Sequence, residues 1–362
     1  MFRTFKVSFL FVAISYGLCG AAQAVLPVAF NTFTGPPLAM NRGTVGFAYA
    51  GNKFVGSVLQ NGPGSLYSTD LVGGTVQAFA PTVSLNSSSG EHFVAASFGL
   101  GGFPNGDIYA ADGSNIVHIT NNGASSNTFN TSALSGEVRG ITFDLFGTFG
   151  NKMLVTTSLG NVYNVNSAGA VSLLANVGED VEGLDIAPPG GGFATFDGQL
   201  IVASEASGKL RAISSGGVVT PLSNGSLGPV LIPSAEELTF VPLNLGVSGS
   251  PLEGLYGANF ATNNIQKANG NQFLGMQGDI IVTGETTGDV SRVHWNGTQF
   301  VVSQVGSFGS YPANQPEDGV FVTPAMVTPE PSSFALAATG FIALIVWRLR
   351  SRALRLRSRV AG

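Results

Sequence analysis

Acidic residues recur directly before short apolar segments in the second half of the chain. Glu182 precedes GLDIAPP, Glu236 precedes ELTFVPL, and Asp318 precedes GVFVTPA. Carboxylates are the hard oxygen ligands that Ca²⁺ takes in proteins. If these segments converge in the fold, Glu182, Glu236 and Asp318 form a candidate calcium site. The alternative is that they are solvated loop carboxylates, with Arg139, at the same place before an earlier segment, neutralising one of them.

A repeated two-strand pattern predicts the elements that position these residues. Each copy has a turn residue, an apolar strand, a small polar turn and a second apolar strand. The six copies start at Gly64, Gly106, Asn151, Gly198, Glu253 and Gly278. A further apolar strand precedes most copies, and GVFVTPA follows the last one. A strand and a hairpin, often with a fourth strand, repeating about every 45 residues is typical of a β-propeller blade.

The pattern therefore predicts an all-β fold, a β-propeller of six blades with mainly four antiparallel strands each. Five or seven blades stay open, because the copies at Glu253 and Gly278 are too close together for a complete blade. A right-handed β-helix is the rival fold, but its coils usually repeat at shorter intervals. We expect GVFVTPA to close the ring by pairing with strands from the N-terminal region.

The charge of the chain is unevenly distributed. Residues 25–326 hold eight basic and twenty acidic residues, a formal charge of −12. This balance argues against nucleic acid and against anionic membrane surfaces as partners. The sequence has no Gly-x-Ser-x-Gly elbow and no phosphate-binding loop of the Gly-x4-Gly-Lys type, which weakens a serine-hydrolase or nucleotide-hydrolase interpretation.

Both ends of the chain indicate export. Two basic residues, an apolar run and Ala22-Gln23-Ala24 predict a signal peptide over residues 1–24, which contains the single cysteine, Cys19. The other end, residues 327–362, combines a Pro329-Glu330-Pro331 motif, an apolar segment over 334–347 and arginines over 348–359. Arginines that follow an apolar span keep the C-terminus cytoplasmic, and here they are Arg348, Arg350, Arg352, Arg355, Arg357 and Arg359.

This tail resembles the PEP-CTERM sorting signal of Gram-negative, biofilm-forming bacteria. The resemblance covers about 33 residues and implies processing by an exosortase, which recognises and removes the tail. It implies transient insertion in the inner membrane, then release to the cell surface or the extracellular matrix, and a link with exopolysaccharide. An ordinary single-pass anchor that is never cut is the alternative.

The predicted propeller, residues 25–326, is similar in architecture to gluconolactonase-like and strictosidine-synthase-like six-bladed propellers. In those proteins acidic and Asn side chains bind a metal at one mouth of the channel, and Glu182-Gly183 matches one short ligand segment. Two functions follow. The favoured one is an exported surface protein that binds exopolysaccharide or another surface protein without catalysis. The alternative is a Ca²⁺-dependent, lactonase-like hydrolase.

Overall fold

The computed structural model describes residues 27–36, 40–129, 132 and 134–323, and it confirms the six-bladed propeller. Its strands are numbered β1–β26 along the chain. Each of the first three blades takes its strands in chain order from the channel outwards. Blade 1 holds β2 (Thr44–Tyr49), β3 (Phe54–Val58), β5 (Leu66–Thr69) and β6 (Val76–Ala78). Blade 2 holds β8 (Val94–Ala96), β9 (Ile108–Asp112), β10 (Asn115–Ile119) and β11 (Ser126–Thr128). Blade 3 holds β12 (Val138–Phe143), β13 (Met153–Thr157), β14 (Asn161–Val165) and β15 (Val171–Asn176).

The last two blades are interleaved along the chain. Blade 4 is still consecutive, but the second and third strands of blade 6 lie between the first and second strands of blade 5. Blade 4 holds β16 (Leu184–Ile186), β17 (Leu200–Ala203), β18 (Leu210–Ile213) and β19 (Val219–Pro221). Blade 5 holds β20 (Ala235–Phe240), β23 (Ile280–Gly284), β24 (Asp289–Trp295) and β25 (Phe300–Ser307). Blade 6 holds β26 (Pro316–Val322), β21 (Gly254–Asn259), β22 (Asn264–Asn269) and β1 (Asn31–Thr34). This insertion explains the short spacing between the copies at Glu253 and Gly278.

Ring closure uses both ends of the propeller, but not by the pairing expected from the sequence. Residues 319–322 of the GVFVTPA segment lie in β26, which pairs with β21, while the N-terminal strand β1 pairs with β22 at the outer edge. The expected direct pairing of GVFVTPA with an N-terminal strand is therefore wrong, because the inserted hairpin lies between the two. Blade 6 still joins the start of the chain to its end, so the ring has no gap between first and last blade.

The hydrophobic core consists of six clusters, one between each pair of neighbouring blades. Many strands are buried along their whole length, as in Met153–Thr157 and Leu200–Ala203. Packing on both faces explains why these strands are continuously apolar instead of alternating. Near the axis the inner strands approach so closely that a Cβ on Gly46 would lie 2.7 Å from the carbonyl oxygen of His92.

Shorter elements complete the part of the chain that the structure describes. A small sheet joins β4 (Gly62–Pro63) to β7 (Ser84–Leu85), and 3₁₀ turns lie at Ala194–Phe196, Gly225–Leu227 and Gly270–Phe273. None of the helices in the described ranges is long and apolar enough to cross a membrane. The signal peptide (1–24) and the tail (327–362), with its Pro329-Glu330-Pro331 motif and arginines, lie outside the described residues.

Candidate functional site

The inner strands begin with irregular pairing at the end of the channel where the predicted site residues lie. The register shifts between Val138 and Gly140 in β12, between Ala235 and Leu238 in β20, and between the strands β21 and β26. A bulge adds one residue to a strand and re-aims the side chains beside it. Neighbouring residues of an extended strand point to opposite sides, so the adjacent acids Glu236-Glu237 and Glu317-Asp318 serve different surroundings.

Glu182 and Glu236 meet near the axis together with Glu205, a residue of the β17–β18 turn. One carboxylate oxygen of each residue lies within 4.8 Å of the others. Glu236 is 3% exposed and donates a hydrogen bond to Glu182. Three carboxylates from two neighbouring blades at this spacing are a donor set that fits a hard divalent cation such as Ca²⁺.

A single guanidinium, that of Arg139, lies among the surrounding carboxylates. Its Nη1 pairs with Glu91 and lies 3.5 Å from Oε1 of Glu182, and its Nε lies 3.5 Å from Oδ2 of Asp180. On the opposite side, the side-chain amide of Gln315 donates to Glu285 at 2.6 Å and to Glu317 at 3.1 Å. We call this group the axial acidic cluster: Glu91, Asp180, Glu182, Glu205, Glu236, Glu285 and Glu317 around Arg139.

Four carboxyl groups at the centre of the axial acidic cluster have pKa values above their ordinary range. Burial raises the pKa of Glu182 to about 7, although its hydrogen bond from Glu236 and the nearby Arg139 lower it. Burial and the hydrogen bond shared with Glu285 raise the pKa of Glu205 to about 7. Burial and neighbouring carboxylates raise the pKa values of Glu236 and Glu317 well above the ordinary range. One guanidinium does not compensate this many carboxylates, so the cluster favours either protons or a cation.

Asp318, the third residue predicted for the calcium site, does not join Glu182 and Glu236. Its Oδ2 accepts a hydrogen bond from the backbone N–H of Phe47 at 3.0 Å, and its side chain accepts one from Glu237. Asp318 therefore ties the inner strand of blade 6 to that of blade 1. Asp185 makes the equivalent link between blades 4 and 5, accepting from the N–H of Phe240 at 2.8 Å. In this arrangement, Asp318 acts in ring closure.

A cavity of about 1030 Å³ occupies the channel and opens at the mouth where the inner strands end. Its inner end reaches Glu182 and Glu236, and its wall includes Asp185, Glu237 and Asp318. The loops that follow the inner strands form its mouth. They contribute the half-buried Phe98 and exposed apolar and amide side chains, namely Asn52, Leu100, Asn105, Leu145, Phe146, Leu243 and Asn244.

The rule that acidic residues precede the inner strands does not find Glu205 and Glu285, which also belong to the axial acidic cluster. Both occupy the turn between the second and third strands of their blades, and in both turns a glycine follows the glutamate three residues later, in EASGK and ETTGD. Aligning the turns of the repeat, and not only the residues before the inner strands, would have found them. The apolar mouth of the channel lacks such a signal, because its residues come from loops of unequal length.

Comparison with known proteins addresses the tail and the fold separately. The model of the PEP-CTERM protein-sorting motif matches residues 327–351. The chain carries a PEP-CTERM sorting signal. This PEP-CTERM motif implies export, transient anchoring in the membrane through the tail, and processing by an exosortase.

Solved structures of similar shape are β-propellers of distant sequence, and no curated protein matches the sequence. A protein of unknown function from Bacteroides thetaiotaomicron is 10% identical with a TM-score of 0.50, covering 82% of this chain and 69% of that one. The match to the nidogen/laminin complex (13% identity, TM-score 0.48) covers 76% of this chain and 83% of that chain. The match to streptogramin B lyase (12% identity, TM-score 0.47) covers 82% of this chain and 92% of that chain. The likeness with a TM-score of 0.50 shows the fold alone.

Proposed function

We propose that this PEP-CTERM protein is an exported binding protein that takes part of an exopolysaccharide, or of another surface molecule, into the open mouth of its channel. The cavity in the channel carries the proposal. Its volume of about 1030 Å³ is at the upper end of the range for ligand sites in proteins, and such sites are mostly apolar with a few placed polar groups.

The side chains at the mouth suit a ligand with apolar faces and hydroxyl groups. The ring of Phe146 is 47% exposed there, and the exposed Asn105 and Asn244 add amides that both donate and accept hydrogen bonds. A sugar ring presents an apolar face to an aromatic side chain and hydroxyl groups to such amides. We therefore favour a saccharide over an ionic ligand at this mouth.

The test is a calorimetric titration of residues 25–326 with oligosaccharides from the exopolysaccharide of the producing cell. We expect Phe146→Ala and Asn244→Ala to weaken binding about tenfold each, the effect of losing about 1.4 kcal/mol of contact energy. Leu159→Ala is the matched control, since Leu159 is 58% exposed in the β13–β14 turn at the opposite face. Equal affinity in all three variants would exclude the channel mouth as the binding site.

A second candidate, a cation-dependent hydrolase of the lactonase type, is favoured by one observation, the approach of Glu182, Glu205 and Glu236 within 4.8 Å. A bound cation would supply an electrophile and an activated water at the inner end of the cavity. Thermal unfolding during a Ca²⁺ titration tests the site, since a ligand specific for the folded state raises the midpoint. A rise that disappears in Glu182→Gln would support it, and an unchanged midpoint up to millimolar Ca²⁺ would remove it.

A further inference from the structure

The described chain ends at the open mouth of the channel. β26 runs from Pro316 to Val322 along the axis, and Thr323, which follows it, lines the cavity there. Ten residues (324–333) separate Thr323 from the apolar segment predicted to begin at Phe334. Even when fully extended, ten residues span only about 35 Å. A tail anchored in a bilayer therefore keeps this mouth close to the membrane surface.

Four apolar side chains are exposed around the same mouth. Leu100, Leu145, Phe146 and Leu243 are 38%, 36%, 47% and 47% exposed, and all four line the cavity. They come from the loops that follow the inner strands of blades 2, 3 and 5, so together they surround the opening. We call these four residues the apolar rim. Apolar side chains grouped at one surface usually mark a contact with another apolar surface.

The loop that carries Leu145 and Phe146 is held in a fixed shape. The buried carboxylate of Asp144 accepts hydrogen bonds from the backbone N–H groups of Phe146 at 3.1 Å, Gly147 at 2.9 Å, Phe149 at 2.6 Å and Asn151 at 2.9 Å. A loop organised by four or more such bonds loses little conformational freedom when its tip enters another phase. The exposure of Phe146 is thus built into the fold.

Charge separates the two ends of the channel. The axial acidic cluster lies at the far end, where the inner strands begin. Three acidic side chains in the loops between the first and second strands, at the other end, have partners within the protein. Asp107 and Asp279 pair with His118 and His294 at 2.7 Å, and Asp197 accepts from the backbone N–H of Phe193 at 2.7 Å. The carboxyl groups of the axial acidic cluster therefore lie at the end of the channel away from the bilayer, while at the near end Arg292 pairs with Asp279.

We propose that the apolar rim rests on the outer surface of the bilayer while the PEP-CTERM tail is in place, so that the lipid surface covers the channel mouth until the tail is removed. The inference rests on the anchoring of the tail. It rests on the proposed function only for its consequence, that ligands reach the cavity after the tail is removed. Its occupant is the interfacial region of the bilayer, which accepts apolar and aromatic side chains at shallow depth.

The test places an environment-sensitive nitrobenzoxadiazole label in the full chain, reconstituted in phosphatidylcholine vesicles. The background carries Cys19→Ser, which removes the single native cysteine. Labels go on Phe146→Cys and Leu243→Cys in the apolar rim, and on Leu159→Cys as the exposed apolar control at the opposite face. In vesicles we expect blue-shifted emission, quenched by doxyl-labelled lipids, at both rim positions but not at Leu159→Cys. For tail-free protein in solution we expect aqueous emission at all three positions.

The outcomes separate the inference from the proposals beneath it. Full chain that fails to float with the vesicles would overturn the anchoring, and with it the inference. Full chain that floats but shows the same aqueous emission at Phe146→Cys, Leu243→Cys and Leu159→Cys would overturn the inference alone. Blue-shifted emission that grows with protein density and resists doxyl lipids would assign the rim to a second copy of the chain and also overturn it. Saccharide binding by the tail-free protein is measured separately.

Discussion

Glu236 offers the clearest test of whether buried carboxyl groups in the channel are neutral in the folded protein. It is almost fully buried and donates a hydrogen bond to Glu182, and burial raises its pKa well above the ordinary range. In Glu236→Gln the amide can donate the same bond without ever ionising. We expect the melting temperature to rise at pH 8, by about 2 °C for each kcal/mol added to the free energy of unfolding, because no carboxyl group then has to be kept neutral. At pH 5 we expect little change.

Glu137→Gln is the matched control for that prediction. Glu137 lies at the same end of the channel, but its hydrogen bonds from Ser88 hold its pKa below the ordinary range. Here the charged form stabilises the fold, so the same substitution should lower the melting temperature at pH 8. If both variants shifted the melting temperature in the same direction at pH 8, the pKa values of Glu236 and Glu137 would not be moved in opposite directions by their surroundings.

At the scale of single residues, the sequence located the site better than it assigned its members. Glu182 and Glu236 meet as expected, because each precedes the same position of its inner strand. Asp318 was grouped with them by the same rule, but β20 and β26 share the same bulge, so the place of Glu236 falls to Glu317 and Asp318 points towards Phe47. A bulge depends on the pairing of two strands, so the order of residues in one strand does not show it.

Blade 6 shows what the sequence predicts about elements and what it leaves out. The hairpin at Glu253 was recognised from its repeat pattern, and it forms β21 and β22. Its neighbours, β26 and β1, come from the two ends of the propeller. Local pattern fixes a hairpin, but the strands that flank it are chosen by contacts far apart in the sequence. The blade count was therefore predictable, and the interleaving of blades 5 and 6 was not.

Strand β1 is expected to hold the seam between blades 6 and 1. Besides pairing with β22, it carries Phe33, whose ring lies 5.5 Å from that of Phe54 in blade 1 and 4.9 Å from that of Tyr256 in blade 6. Deleting residues 27–36 should lower the melting temperature and expose the edge of β22, because an unpaired edge is a template for association. Calorimetry and light scattering would measure the two effects.

The matched control for this deletion removes the tail. Residues 324–362 follow the last strand, so their loss leaves every described strand pair in place. We expect the tail-free protein to keep the melting temperature and to stay dispersed. A β1 deletion that melted like the tail-free protein, with no added light scattering, would show that blade 6 is complete with three strands.

At the scale of the whole molecule, the two ends of the channel have opposite characters. One end concentrates carboxylates around Arg139, while the other carries the apolar rim and the exit of the chain. Because all six inner strands run in the same direction, each blade contributes its strand starts to one end and its loops after the inner strand to the other. A tail attached after β26 therefore fixes which of these two ends faces the membrane.

The same architecture predicts that the propeller is most stable under mildly acidic conditions. Folding raises the pKa of Asp185 to about 6 and those of Glu182 and Asp318 to about 7, chiefly through burial. A raised pKa in the folded state means that folding takes up protons. These groups therefore stabilise the fold fully below their ordinary pKa values, and that contribution is lost as the pH rises through 6 and 7.

Carboxyl groups with lowered pKa values set the acid limit of this stability. Salt-bridging and hydrogen bonds lower the pKa of Glu179 against the opposing effect of burial, so its contribution is present above the ordinary range and is lost as the pH falls below it. The two effects together place the maximum of stability at about pH 5. Melting temperatures measured from pH 4.5 to 8.5 should fall across the neutral range, and under the proposed cation site of Glu182, Glu205 and Glu236, added Ca²⁺ should flatten that fall. A melting temperature that rose steadily from pH 5 to pH 8 would mean that the channel carboxyls are ionised in the folded protein without cost.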